Sequence, residues 1–410
     1  MVDMDWLLIH ISALAEIGSV AAGGISRPAL SQAEARAREY VQNLMQESGM
    51  SVRKDAALNL FGRLGQEHLP CVMSGSHLDT VPQGGAYDGA LGVLAAIGAA
   101  RAMGDVREFP KALEIVAFSG EESSRFGLSL FGSHAFCGTL PLEKIERYVD
   151  GAGIGVGDAL REFGSSLELL RYPTMLQRPQ AFVELHIEQG TLLKDAGQSV
   201  GVVTAIAAPT RLVIWIEGTA SHSGASLAED RKDALVAAAQ IISEIEALMK
   251  REGPWRSVAT VGRIRISPNV INVVPGEAEL GIDIRGSDPG SKHRLVRAID
   301  KLAARVAARR GLSVRRQALV DEQPVRLDER VIEIISEEAS SLELQSGHVV
   351  SMAGHDAMEM ARMCPTGMIF VRNASGVSHN PAEYVEPEDV EAGAVLLEAS
   401  LRRLLCESID

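Results

Sequence analysis

The chain has 410 residues, 46% of them hydrophobic and 23% charged, with a net charge of −14. That length exceeds one small core and predicts two domains, and the composition is that of a soluble globular protein. The acidic balance argues against a nucleic-acid partner and gives no attraction to an anionic membrane surface. The cysteines Cys71, Cys137, Cys364 and Cys406 form no CxxC pair. This argues against a thiolate zinc site and fits a reducing, cytoplasmic compartment. The acidic start Met1-Val2-Asp3-Met4-Asp5 is not expected to be a signal peptide, and no apolar run is long enough for a membrane span.

Residues 5–49 read as two helices, the second opening at Ser31 with Glu34 at capping-box spacing. Strands are expected at 58–64 and 69–74, a small-residue helix at 89–103, and strands at 112–119 and 181–187, with a helical, loop-rich stretch between the last two. This alternation predicts an α/β sheet. Near residue 209 the texture changes. A strand at 211–217, a helix at 229–250, strands at 258–266 and 278–285, a helix at 292–310 and a strand at 312–320 give the ferredoxin-like order. After Pro324 the α/β texture returns, with helices at 328–340, 354–362 and 387–405 and a strand at 367–371. The expected architecture is a discontinuous catalytic domain, 1–208 and 325–410, with a mixed sheet flanked by helices. An α+β domain, 209–324, is inserted into it.

Chemistry-bearing residues gather at predicted strand ends. His77 and Asp88 flank a strand-to-helix turn, the place where open α/β sheets put their sites. Glu121 and Glu122 follow the apolar strand ending Val116-Ala117-Phe118-Ser119, His186 ends Val183-Glu184-Leu185-His186, and His379 lies in the loop Gly376-Val377-Ser378-His379-Asn380-Pro381. Three imidazoles with carboxylates suit one or two divalent ions: Zn²⁺, Mn²⁺, Co²⁺ or Ni²⁺. The Glu121-Glu122 pair allows one carboxylate to bind metal while its neighbour takes a proton from a water that the metal acidifies. Asp79 is placed to accept the second ring N–H of His77. Singly each feature has an ordinary reading: a strand-end His is a satisfied polar residue, a Glu-Glu pair a solvated face, an Asp-Gly a turn. No GxGxxG follows a strand in the glycine-rich 84–92 stretch, which argues against a dehydrogenase.

The segments GSHLDTVPQGGAYDG, FSGEESSRFG, GSHAF, VELHIEQG, GTASHSG, NVVPGEAELGIDIRG, AGHDA and GVSHNPAE together resemble the metal-dependent amidase/hydantoinase/carbamoylase family. HIEQG and GGAYDG are the versions of its ureido-hydrolase branch. The resemblance implies two divalent ions held by His77, Asp88, Glu122, His186 and His379, with Asp88 bridging. It implies Glu121 as general base and later proton donor, and Asp79 as the residue that orients His77. Gln189, His222, Asn272, Arg285, Gly354 and His355 would line the substrate site, the Arg285 fork suiting a carboxylate. His222 would also assist catalysis, reaching the site from a partner subunit, because the inserted domain serves as lid and dimerisation domain. The substrate implied is a small ureido carboxylate: an N-carbamoyl-L-amino acid, a β-ureido acid, allantoate or ureidoglycolate. N-acyl-amino-acid or dipeptide hydrolysis, and a silent metal-binding scaffold, are the alternatives. Ser123, Tyr87 and Leu227 depart from the family's usual Gly, Phe and Pro, and leave every ligand and the base in place.

Overall fold

The fold was read from a computed structural model, which describes residues 1–104, 108–171, 178–252 and 257–407. The chain forms two compact units. One contains Met1–Thr204, Arg326–Val349 and His355–Asp410; the other contains Ala205–Val325 and Val350–Gly354. The second unit thus includes a five-residue return that chain position alone would assign to the first.

A nine-stranded mixed sheet organises the first unit, in the order Ser51–Lys54, Leu60–Leu64, Ala112–Phe118, Cys71–His77, Ala181–Ile187, Thr366–Val371, Val200–Ile206 and Val325–Arg326, with Ser346–Ser351 also paired to Val200–Ile206. The four central strands run parallel, so their C-terminal ends open at one edge of the sheet. All four, Cys71–His77, Ala112–Phe118, Ala181–Ile187 and Thr366–Val371, are buried along their whole length. Their near-continuous apolar character is that of strands covered on both faces.

The helix Ala90–Met103 packs on Cys71–His77 and Ala181–Ile187 and against the C-terminal helix Pro387–Cys406. Its run of Ala, Gly, Leu and Val is buried almost throughout, which suits a helix enclosed on all sides. Gly92 sets how closely it can approach: a Cβ there would lie 2.2 Å from the Leu185 carbonyl oxygen.

Ser31 caps the helix Gln32–Glu47 by accepting from Glu34 N, as its spacing suggested. The Glu34 side chain departs from a simple capping box. Buried completely, it accepts from Leu30 N at 2.5 Å and from the Ser119 hydroxyl at 3.2 Å, and pairs with Arg38 at 3.2 Å. A capping residue therefore also braces the strand end that leads to Glu121.

The second unit has a four-stranded antiparallel sheet, ordered Ser313–Asp321, Ala208–Glu217, Glu277–Gly286 and Ser257–Ser267. Helices Ala234–Glu252 and Pro289–Arg310 pack on it and on each other. Ala278, Leu280, Ile282 and Ile284 alternate along one strand into this unit's own core. The first helix starts later than its periodicity implied because the Asp233 carboxylate accepts from Leu235 N and Val236 N, fixing the start there. A 3₁₀ turn, Ala228–Asp230, occupies the preceding residues. Likewise 354–362 is mostly turn, with only Ala357–Met360 helical. The strands Val200–Ile206 and Ser346–Ser351 add to the expected set.

A candidate metal centre at the sheet edge

His77 is the last residue of its strand and His186 the penultimate residue of the parallel strand two positions along its sequence pattern from Glu184. Asp88 lies in the turn before the helix Ala90–Met103, Glu121 and Glu122 follow the strand Ala112–Phe118, and His379 occupies a loop at φ 54°. Strand direction brings these together. Asp88 Oδ1 lies 3.4 Å from His77 Nε2 and 3.1 Å from His186 Nε2, while Asp88 Oδ2 lies 3.3 Å from His379 Nε2. His379 Nε2 is also 2.8 Å from Glu122 Oε1. Two triads result, His77–Asp88–His186 and Asp88–Glu122–His379, each with its ligating atoms within 4.8 Å of one another. Each Asp88 oxygen faces a different triad.

The other ring nitrogens support the same reading. His77 Nδ1 is 3.0 Å from the Asp79 carbonyl oxygen, and His186 Nδ1 is 2.9 Å from the Ile187 carbonyl oxygen. A proton held there on each ring leaves Nε2 as the donor toward a cation, which is how metal-binding imidazoles are oriented. The residues present therefore fit divalent ions. The third triad, Glu184–His186–His355, shares His186, whose two nitrogens are already committed to Asp88 and the Ile187 carbonyl.

The Asp79 side chain reaches beyond the His77 ring. Fully buried, its carboxylate accepts from Glu121 N and Glu122 N, both at 3.0 Å, and its Oδ1 is 3.5 Å from His77 Nδ1. One side chain thus fixes the backbone of both glutamates and approaches a histidine. Gly89 is required beside that histidine: its φ is +67°, and a Cβ would meet the His77 ring at 2.5 Å.

Charge follows from this packing. Burial opposes charge on His77, yet Asp79 and Asp88 hold it well above its ordinary range. His379, bonded to Asp88 and Glu122, is pushed up to about 10. Burial would raise Asp88, but the surrounding imidazoles hold it well below. Glu121 goes the other way: burial, with Glu122, Asp356 and Asp79 adding to it against His77, pushes it well above the carboxylate range. Adjacent glutamates thus sit in unlike settings. Glu122 pairs with an imidazole, and Glu121 is a buried carboxyl with a high proton affinity.

The remaining expected residues are dispersed. Gln189 donates to Asp88 Oδ2 at 2.9 Å. His355 is buried and packed, its ring 4.5 Å from the His186 ring and 5.7 Å from Phe370. His222, Asn272, Arg285 and Gly354 belong to the second unit. There His222 pairs with Val273 in a two-stranded ribbon and accepts from Gly224 N at Nδ1, 3.1 Å, while the Asn272 carbonyl accepts from Ser223 N. Arg285 lies on the larger sheet, donating to Asp283 at 2.9 Å and to the Met352 carbonyl at 3.2 Å.

Sequence reasoning gave no role to several buried polar residues. Glu184 accepts from the Ser76 hydroxyl at 2.6 Å and from Ala357 N at 2.8 Å, joining three segments behind the histidines. Asp356 accepts from Ser133 at 2.6 Å, and burial, with Glu184 adding to it, raises it to about 8. Glu184 stands two residues before His186, and so on the same strand face. That spacing was the available signal.

The family model described as Peptidase family M20/M25/M40 matches residues 73–403. The chain belongs to this family. An N-carbamoyl-L-amino acid amidohydrolase from Geobacillus stearothermophilus is 38% identical over 405 residues, covering 97% of both chains. A ureidoglycolate hydrolase from Arabidopsis thaliana is 36% identical over 418 residues, covering 98% of this chain and 87% of the relative. A solved amidase of the hydantoinase/carbamoylase family from Burkholderia multivorans superposes with a TM-score of 0.90 at 31% identity, covering 100% of this chain and 99% of that one. The amidase/hydantoinase/carbamoylase resemblance read from the motifs therefore holds over the whole length. Among the described residues no helix is long and apolar enough to cross a membrane.

Proposed function

We propose that this chain is a metal-dependent amidohydrolase that cleaves the C–N bond of an N-carbamoyl (ureido) carboxylate. The observation that carries this reading is the pair of triads sharing Asp88 with the buried Glu121 beside them. The names of full-length relatives, which act on N-carbamoyl-L-amino acids and ureidoglycolate, support the substrate class. His77, Asp88 and His186 would hold one divalent ion; Asp88, Glu122 and His379 would hold a second, of the Zn²⁺, Mn²⁺, Co²⁺ or Ni²⁺ group. Such ions acidify a water and polarise a carbonyl.

Glu121 takes the proton from the attacking water and delivers it to the leaving nitrogen, a task its raised proton affinity suits. Asp79 keeps Glu121 and Glu122 in place through their backbone N–H groups. Arg285 would bind the substrate carboxylate through its guanidinium fork. Gln189, Asn272, Gly354 and His355 would complete the pocket wall, and His222, supplied by a partner subunit, would stabilise the developing oxyanion. The second unit serves in this reading as lid and dimerisation domain. The four free thiols fit a cytoplasmic enzyme.

The test is ammonia release from a panel of ureido acids, using metal-free protein to which Mn²⁺, Zn²⁺, Co²⁺ or Ni²⁺ is added. Turnover is expected on at least one N-carbamoyl carboxylate. Glu121→Gln is expected to lower kcat by roughly 10²–10⁴-fold with bound metal unchanged. Amine release from N-acetyl amino acids without ammonia release from any ureide would move the enzyme to acyl substrates. Normal turnover by the metal-loaded variant would remove Glu121 as the base.

A further inference from the structure

Two loops meet around Asp88. One, residues 85–88, carries Asp88 itself; the other, residues 378–383, carries His379. Glu383 joins them from a position only 5% exposed. Its Oε1 accepts from Tyr87 N at 3.0 Å and from Asp88 N at 3.1 Å. Its Oε2 is 2.9 Å from the Ser378 hydroxyl, which is 3.0 Å from Asp88 Oδ2. Glu383 thus holds Asp88 through its backbone N–H, and meets its side chain at Ser378, whose single hydroxyl proton lies between the two carboxylates.

The surrounding chain makes room for this arrangement. A Cβ at Gly85 would fall 2.1 Å from Glu383 Oε1, so the carboxylate enters where the facing loop has no side chain. Glu383 N donates to the Asn380 carbonyl at 3.0 Å, closing the turn that follows His379. The hold matters because of what Asp88 must do. Its Oδ1 faces His77 and His186 while Oδ2 faces His379. A modest rotation of that carboxylate would take one oxygen away from its triad.

We propose that Glu383 is a positioning residue that sets the orientation of Asp88, acting through the Tyr87–Asp88 backbone and through Ser378, so that one carboxylate serves two ions. This rests on the two-ion reading given above. Glu383 contacts neither substrate nor the reacting atoms in this role; its effect reaches the chemistry only by way of Asp88.

The experiment is a Co²⁺ titration of metal-free protein, followed by visible absorption and by calorimetric stoichiometry, with far-UV circular dichroism as the check on folding. Wild type is expected to bind two ions. Glu383→Gln is expected to retain both, because its carbonyl still accepts the two backbone N–H groups and its amide N–H reaches the Ser378 oxygen. Glu383→Ala is expected to weaken one ion by roughly 10–100-fold and to change the cobalt spectrum. Should Glu383→Ala not fold, Ser378→Ala carries the test, with a smaller loss in the same direction. Folded Glu383→Ala or Ser378→Ala protein with wild-type affinities and spectrum would overturn the proposal. So would a Gln variant as impaired as the Ala variant, since the charge rather than the placement would then be at work. Fewer than two ions in the unmutated protein would overturn the two-ion reading, and the proposal with it, and that failure is visible before any substitution is made.

Discussion

At the scale of single residues, protons and any bound cation would compete for the same lone pairs of the centre. Contacts with Asp88 and Glu122 raise His379 from 6.5 to about 10. A group whose folded-state value is raised stabilises the fold below its unfolded value, and that contribution is lost as pH rises through the folded value. Chelator-treated protein is therefore expected to lose thermal stability from about pH 6.5 toward pH 10. His77 and His186 are shifted in the same direction and reinforce the trend. A divalent ion at these residues would take the place of the shared proton, so saturating Mn²⁺ should remove most of this decline. Scanning calorimetry across that range, with and without metal, checks the expectation. His379→Gln protein should show a shallower decline when metal-free, and an unchanged slope would mean that this imidazole does not report on the pairing.

At the scale of elements, Gly92 decides how the helix Ala90–Met103 rests on its strands. An added methyl would lie 2.2 Å from the Leu185 backbone oxygen and 2.9 Å from Ser76 Cβ. Replacing Gly by Ala in a helix gains about 1 kcal/mol in propensity, whereas overpacking costs about 1–3 kcal/mol and more where backbone must move. The clash is with backbone of the strand that carries His186, so Gly92→Ala is expected to destabilise by roughly 1–2 kcal/mol net, read as a lower urea midpoint. The strands that this helix covers were legible because burial on both faces writes a continuous apolar run. Val200–Ile206 was harder to see, since its antiparallel partner Thr366–Val371 lies far along the chain. His77, Asp88, His186 and His379 were legible as polar residues at strand ends or in motif-bearing loops. Glu184 and Glu383 were not, because their work consists of hydrogen bonds to Ser76, Ala357, Tyr87, Asp88 and Ser378, partners that only the fold brings near. The return of Val350–Gly354 to the second unit escaped for the same reason: it is fixed by contacts such as Arg285 to the Met352 carbonyl, not by any local pattern.

At the scale of the whole molecule, the second unit bears on assembly. Its sheet ends on one side at Ser257–Ser267, which among the described residues pairs only with Glu277–Gly286. The outer strand of a sheet offers backbone donors and acceptors to another strand, and soluble proteins blunt or cover such edges. This one keeps apolar side chains in solvent: Val258 and Ile264 are exposed on the strand, and Val270 and Ile271 in the loop after it. Arg263 and Arg265 on the same strand pair with Glu279, within their own sheet. A second copy presenting the same edge would bury both sets at once, as a two-fold interface requires. The wild-type chain is accordingly expected to run as a dimer in sizing with light scattering at micromolar concentration. Ile264→Asp places a charge where apolar contact is needed and should shift the protein toward the monomer mass while both units stay folded by circular dichroism. If His222 acts from the partner subunit, the same variant should lose ureide turnover while still binding divalent ions. A folded Ile264→Asp monomer with full turnover would show that each chain completes its own site.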